Sequence, residues 1–153
     1  MQNSLELNYE SILEFQQNRD QYLMIDHATQ VIPGKSAIGY KNLSEKEWFF
    51  KIHWPGDPNM PGALQFEAMV QMSSLAILTL PNNKNKVLYL VSANNLKFIK
   101  KVLPNNLLNL EAEIKSFKRG LAKCVAHGHI NNEVVCKAEF NLILPDEIKK
   151  YKL

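Results

Sequence analysis

A chain of 153 residues, 46% apolar and 22% charged with a net charge of +3, has the length and balance of one ordinary globular domain. Such a chain can bury a core without disulfides or metal, and its modest charge points to no nucleic-acid partner. No apolar run reaches the length of a membrane span, and the opening MQNSLELNYES lacks the basic and apolar stretches of a secretory leader, so the cytoplasm is the expected compartment.

In chain order, Tyr9, Ile12, Leu13 and Gln16 share helical spacing and predict a short amphipathic helix. Leu23 to Ile32 reads as a strand closed by the Pro33-Gly34 turn, and Lys35 to Lys41 as a second strand. Ser44 with Glu47 three residues later has the pattern of a capping box for a brief helical turn through Phe49. Pro55, Gly56, Pro58, Pro61 and Gly62 then enforce irregular backbone. Ala63 to Leu80 is a helix apolar on nearly every side, so its surroundings must bury it; Pro81 ends it.

Four strands follow: Val87 to Phe98, Leu107 to Phe117, Leu121 to Ile130 and Val134 to Leu144. Turn residues divide them at Pro104-Asn105-Asn106, Arg119-Gly120 and Asn131-Asn132. No repeat or linker breaks the chain, so residues 1–153 read as a single α+β domain, one long helix wrapped by an antiparallel sheet.

Cys124 and Cys136 form no disulfide framework. A two-residue turn at Asn131-Asn132 would pair position 124 with 139 and 136 with 127, leaving both as buried thiols. His127 and His129 share a strand face near Cys136, but three ligands without a fourth on a packed strand argue against a metal. Both histidines are expected in the core or along a substrate channel. The lysines gather at Lys97, Lys100 and Lys101, and again at Lys115, Lys118, Arg119 and Lys123: a solvated face, or a docking patch for an acidic partner.

The informative stretch is FFKIHWPGDPNMPGALQFEAMVQ, residues 49–71. A neutral imidazole at His53 can take a proton near pH 7. Glu67 lies about one turn into an apolar helix, and such surroundings favour a neutral carboxyl able to act as an acid. Gly62 opens that helix, where free backbone N–H groups can meet a carbonyl oxygen. A base, an acid and an electrophilic helix end are the parts needed to eliminate water from a 3-hydroxyacyl thioester. Taken singly, each residue has an ordinary structural explanation.

Together, His53-Trp54-Pro55-Gly56, Met60-Pro61-Gly62 and Glu67-Ala68-Met69-Val70-Gln71 resemble the active-site block of the bacterial β-hydroxyacyl-acyl carrier protein dehydratases, down to the separation 67 − 53 = 14. The resemblance implies a hot-dog fold, an acyl carrier protein partner, no cofactor, and at least a homodimer, with trimers of dimers open. It implies that His53 removes the C2 proton and Glu67 protonates the departing hydroxyl, on histidine and carboxylate from different subunits. It places Gly62, Ala63, Gln71 and a tunnel tyrosine, Tyr89, along the acyl substrate, and Lys97, Lys100 and Lys101 at carrier docking. The resemblance mixes two signatures: Asp57-Pro58-Asn59-Met60-Pro61-Gly62 is the run often shown by the dehydratase-isomerases, whereas Glu67 in place of aspartate favours dehydration without isomerisation.

The sequence departs from the family pattern at Asn18-Arg19-Asp20-Gln21, at Ile52 and at Pro104-Asn105-Asn106. A hot-dog thioesterase and a non-catalytic acyl-binding subunit are the alternatives.

Overall fold

A computed structural model of the chain describes residues 3–151. In chain order the elements are β1 (Leu5–Leu7), α1 (Tyr9–Phe15), a 3-10 turn (Asp20–Tyr22), β2 (His27–Ile32), β3 (Ser36–Leu43) and α2 (Trp48–Ile52). Then come α3 (Gly62–Leu78), β4 (Tyr89–Phe98), β5 (Asn106–Lys118), β6 (Leu121–Ile130), β7 (Glu133–Ile143) and α4 (Pro145–Lys149). All the strands join one antiparallel sheet in the order β1-β2-β3-β5-β6-β7-β4.

The sheet wraps α3, which packs against β2, β3, β5, β6 and β7. Every residue from Ala68 to Leu78 is buried. The serines inside this run are tolerated because Ser73 and Ser74 donate to the Met69 and Val70 carbonyls at 2.8 and 2.9 Å. Close approach of helix and sheet needs Gly39 on β3, where an added Cβ would collide with the His27 carbonyl and with Met72 of α3. A long buried helix held in a curled antiparallel sheet is the hot-dog arrangement.

Several local expectations need correction. The Ser44–Glu47 pattern does not cap α2: Ser44 Oγ accepts from the Lys46 N–H at 3.2 Å, and Glu47, at the N-cap position, makes no side-chain capping bond. Glu47 instead accepts from Lys41 Nζ at 2.9 Å, with Asp26 at 3.6 Å. Lys41 is only 6% exposed, and a buried ammonium without carboxylates would be far more costly than a lost helix cap. Residues 23–26 are not strand either. Leu23, Met24 and Ile25 are all buried; the Leu23 N–H turns back to the Asp20 carbonyl, the Met24 N–H is taken by Gln71 of α3, and pairing with β3 begins only where the Asp26 N–H reaches the Tyr40 carbonyl at 2.9 Å.

The two hairpins after β5 turn through Arg119-Gly120 and Asn131-Asn132, with positive φ at all four residues (51°, 82°, 49° and 64°), as two-residue turns between twisted strands require. Each hairpin contains a bulge, between Ile114 and Ser116 and between Gly128 and His129. The second moves the register by one, so Cys124 lies opposite Phe140 and Cys136 opposite Gly128, not 139 and 127. The thiols still do not face each other.

Burial pushes the Cys124 thiol up to about 12 and the Cys136 thiol up to about 11, the Gly128 backbone partly offsetting the second. Two outcomes follow. Native protein at pH 8 should leave a thiol reagent unreacted until denaturant is added. As pH rises above the ordinary thiol value of about 8.5, the unfolded chain loses these protons first, so stability should fall towards pH 11. Denaturant midpoints measured across that range test the sign.

Candidate active site

His53 closes α2. Its backbone N–H reaches the Phe49 carbonyl at 2.9 Å, and its ring stacks on Trp54 with centroids 4.1 Å apart. Ring Nδ1 lies 3.1 Å from the backbone carbonyl of Asn59. A carbonyl can only accept, so Nδ1 carries the proton and Nε2 is left as the basic nitrogen.

The loop that supplies this carbonyl is pinned at several points. The Met60 N–H donates to the Val102 carbonyl at 2.7 Å, Gln65 Nε2 to the Met60 carbonyl at 2.9 Å, and Asn59 Nδ2 to the Asp57 carbonyl at 2.8 Å. Lys101 Nζ meets Asp57 at 2.6 Å, an exposed pair of small energetic value.

Pro61 precedes α3, and its carbonyl accepts from the Leu64 and Gln65 N–H groups, both at 3.0 Å. The Gly62 and Ala63 N–H groups, too early in the helix for an internal acceptor, have no partner among the described residues. They carry the positive end of the helix dipole. A Cβ at Gly62 would stand 2.9 Å from the Phe98 ring of β4, so any larger residue would push that exposed ring aside. His53, Gly62 and Phe98, with Trp54, Lys100 and Lys101, line an open cavity of about 390 Å³.

Glu67 does not line that cavity. Five residues beyond Gly62, it has turned about 140° round the helix axis. No hydrogen bond or ion pair joins it to His53 among the described residues. The half-buried carboxylate is instead held by Gln71, one turn on, whose Nε2 donates to Glu67 Oε1 at 2.8 Å.

The same Gln71 amide donates to the Tyr22 carbonyl at 2.8 Å and accepts from the Met24 N–H at 2.8 Å and from Gln16 at 3.5 Å. Only 1% exposed and fully engaged, Gln71 has no capacity left for the substrate contact expected of it; it positions Glu67 and anchors residues 22–24. Sequence reasoning missed Tyr22, whose hydroxyl is raised chiefly by the nearby Glu67 charge and secondarily by burial. Tyr22 follows the divergent Asn18–Gln21 run, so no motif marked it. Arg19 of that run donates to the carbonyls of Leu13, Gln16 and Asn18 around the end of α1.

The other expected residues are dispersed. Tyr89 is 56% exposed at the start of β4, about 30 Å of strand away from Phe98. Lys100 and Lys101 stand at the mouth of the His53 cavity, Lys100 paired with Glu133, whereas Lys97 lies within β4 opposite Lys137. Lys115 pairs with Glu113, and the Arg119 guanidinium lies over the Tyr151 ring. His127 and His129 are neither core nor channel residues. They are part-exposed on the face of β6 opposite its buried Ala122, Cys124 and Ala126. Asn105 adopts φ 61°, the left-handed conformation that asparagine tolerates, in the altered Pro104-Asn105-Asn106 turn.

Comparison with known proteins bears on the family and the fold. Residues 17–139 match the FabA-like domain family. A 3-hydroxyacyl-[acyl-carrier-protein] dehydratase FabZ from Clostridium novyi is 38% identical over 136 residues, 88% of this chain and 96% of that protein. The protein of the same name from Alkaliphilus metalliredigens is 35% identical over 147 residues, 95% of this chain and all of its own length (100%). Among solved structures, the dehydratase heterocomplex ApeI:P from Xenorhabdus doucetiae superposes with a TM-score of 0.75 at 10% identity, covering 91% of this chain and 95% of that one, a likeness of fold. The chain belongs to the FabA-like family, among its 3-hydroxyacyl-[acyl-carrier-protein] dehydratases.

Proposed function

We propose that this protein dehydrates 3-hydroxyacyl thioesters carried by acyl carrier protein to trans-2-enoyl thioesters, as a cytoplasmic enzyme of acyl-chain synthesis. The observation that carries the reading is the His53 imidazole, with Nδ1 fixed on Asn59 and Nε2 free, sharing a cavity with the open N-terminus of α3. Bound with its carbonyl on the Gly62 and Ala63 N–H groups, the thioester has an acidified C2 proton. His53 Nε2 takes that proton and the electron pair moves onto the carbonyl oxygen. When the carbonyl re-forms, the C2–C3 double bond forms and the C3–O bond breaks. Glu67 delivers a proton to the departing hydroxyl, and water leaves.

Because Glu67 does not line the His53 cavity within one chain, the reading needs a second copy to complete each site. β4 supports this. It is an edge strand, every residue of it is exposed, and it presents Tyr89, Leu90, Val91, Leu96 and Phe98. A long apolar edge left unpaired invites another strand. Pairing with its own copy about a two-fold axis would bring the Tyr89 end of one protomer towards the Phe98 end and His53 cavity of the other. Ile52, Trp54 and Ile99, all exposed near that cavity, extend the apolar surface. No helix among the described residues is long and apolar enough to cross a membrane.

Lys97, Lys100 and Lys101 are the proposed carrier-docking residues. Reversing Lys97 and Lys100 to glutamate should raise KM for carrier-linked substrate and reduce its salt dependence, because such charges act on encounter. Turnover of a short thioester lacking the carrier should be nearly unchanged. Equal loss on both substrates would indicate structural damage, and no loss on either would leave the lysines a solvated face. Hydrolysis, the competing chemistry, is separated by product: enoyl thioester for a dehydratase, free thiol for a thioesterase.

A further inference from the structure

On the outer face of the sheet, away from His53 and α3, Glu111 of β5 sits between His127 and His129 of β6. His127 Nε2 is 3.3 Å from Glu111 Oε2, and His129 Nε2 is 3.2 Å from Glu111 Oε1. The two imidazole rings are 4.7 Å apart, and one donor atom from each of the three residues lies within 4.8 Å of the others. His129 Nε2 is itself buried, and despite its distance from Glu111 it is out of line for a hydrogen bond and has no hydrogen-bond partner among the described residues. A pair of neutral histidines simply hydrogen-bonded to a carboxylate would not leave that nitrogen unmatched.

The backbone arranges this convergence. A regular two-residue turn at Arg119-Gly120 would place position 111 opposite 128, on the core-facing side. The bulge between Ile114 and Ser116 shifts the pairing, so Glu111 lies opposite His127 and Asn109 opposite His129. His127 and His129, two apart on one strand, then share a face with the carboxylate.

We propose that Glu111, His127 and His129 bind one divalent transition cation of the zinc class, clipping β5 to β6. Imidazole and carboxylate donors suit zinc and its neighbours cobalt, nickel and copper, whereas calcium and magnesium take oxygen ligands. Bonds of about 2.0–2.1 Å in tetrahedral geometry set donors about 3.4 Å apart, close to both histidine–carboxylate separations here. Three protein ligands leave a fourth position. Glu111 and His127 also line a groove of about 610 Å³ with Lys35, Ser36 and Ile38, open to water or a small anionic ligand at that position. Lys137, opposite His127 on β7, opposes the ion's charge, and Glu111 offsets it. The site lies apart from the proposed dehydration, which uses no metal.

The test uses the whole protein, stripped with chelator and titrated with zinc chloride by calorimetry and with cobalt chloride by visible absorption. Expected are one ion per chain, a tetrahedral cobalt spectrum, a zinc-dependent rise in Tm, and no comparable response to magnesium. His129→Gln and Glu111→Gln should each weaken binding at least about tenfold, since even outer-shell changes commonly lower metal affinity about 10- to 100-fold. Melting without metal establishes that at least one of them is folded. His27→Ala and His53→Ala should bind as the unaltered protein does, which excludes capture by the remaining histidines. Absence of zinc binding by the unaltered protein, binding unchanged in a folded cluster variant, or binding lost with His53→Ala would each overturn the site.

Discussion

His53→Ala and Glu67→Gln are each expected to lower dehydration by about 10²-fold or more, the scale of losing a general base or acid. The loss should appear in kcat, with little change in KM, because neither change removes the helix-end donors that bind the thioester carbonyl. Stability should hardly move. His53 is part-exposed, and its one ring hydrogen bond among the described residues goes to a loop anchored independently by Met60, Gln65 and Asn59. Glu67→Gln is the more informative variant. A glutamine carbonyl oxygen can still accept from Gln71 Nε2, so the link to Tyr22 and Met24 persists while the acid is gone. Near-normal turnover by either folded variant would remove that residue from the proposed chemistry.

Mixing the two inactive variants should restore activity. In one chain the imidazole opens into a cavity that Glu67 does not line. If each site combines His53 of one subunit with Glu67 of the other, a mixed dimer holds one intact site and one lacking both groups. Random exchange at equal amounts makes about half the dimers mixed, so about a quarter of normal activity should return. That gain over two parents each depressed about 10²-fold would be large. Verified mixed dimers no more active than their parents would show that each site draws both groups from one chain.

Much of the fold was legible because its strongest signals are local. An almost wholly apolar segment before Pro81 can only be a buried helix, and turn residues divide the later apolar runs into strands. Two short elements carried no such signal. Three residues at Leu5–Leu7 become strand only by pairing with β2, and α4 is five residues long. The capping pattern at Ser44 failed because the buried Lys41 draws Glu47 away from the helix end. The strand expected from Leu23 starts at His27 because Gln71, distant in sequence, supplies hydrogen bonds to the Tyr22 carbonyl and Met24 N–H.

The candidate site shows the same division. His53, Gly62 and Glu67 stood out because one contiguous block holds them. The roles of Tyr22 and Gln71 depend on contacts between separate segments, which spacing cannot reveal. Glu111 was hidden for a different reason: a bulge decides which sheet face it occupies, and a one-residue slip would have turned it to the other.

The most direct test of the account is to give purified unaltered protein a 3-hydroxyacyl thioester and follow enoyl product and free thiol together. Dehydration conserves the thioester, so the predicted result is enoyl thioester accumulating to equilibrium with no thiol released. Thiol release without enoyl product would contradict the account in favour of hydrolysis, and bound thioester with neither product would make the protein an acyl-binding subunit.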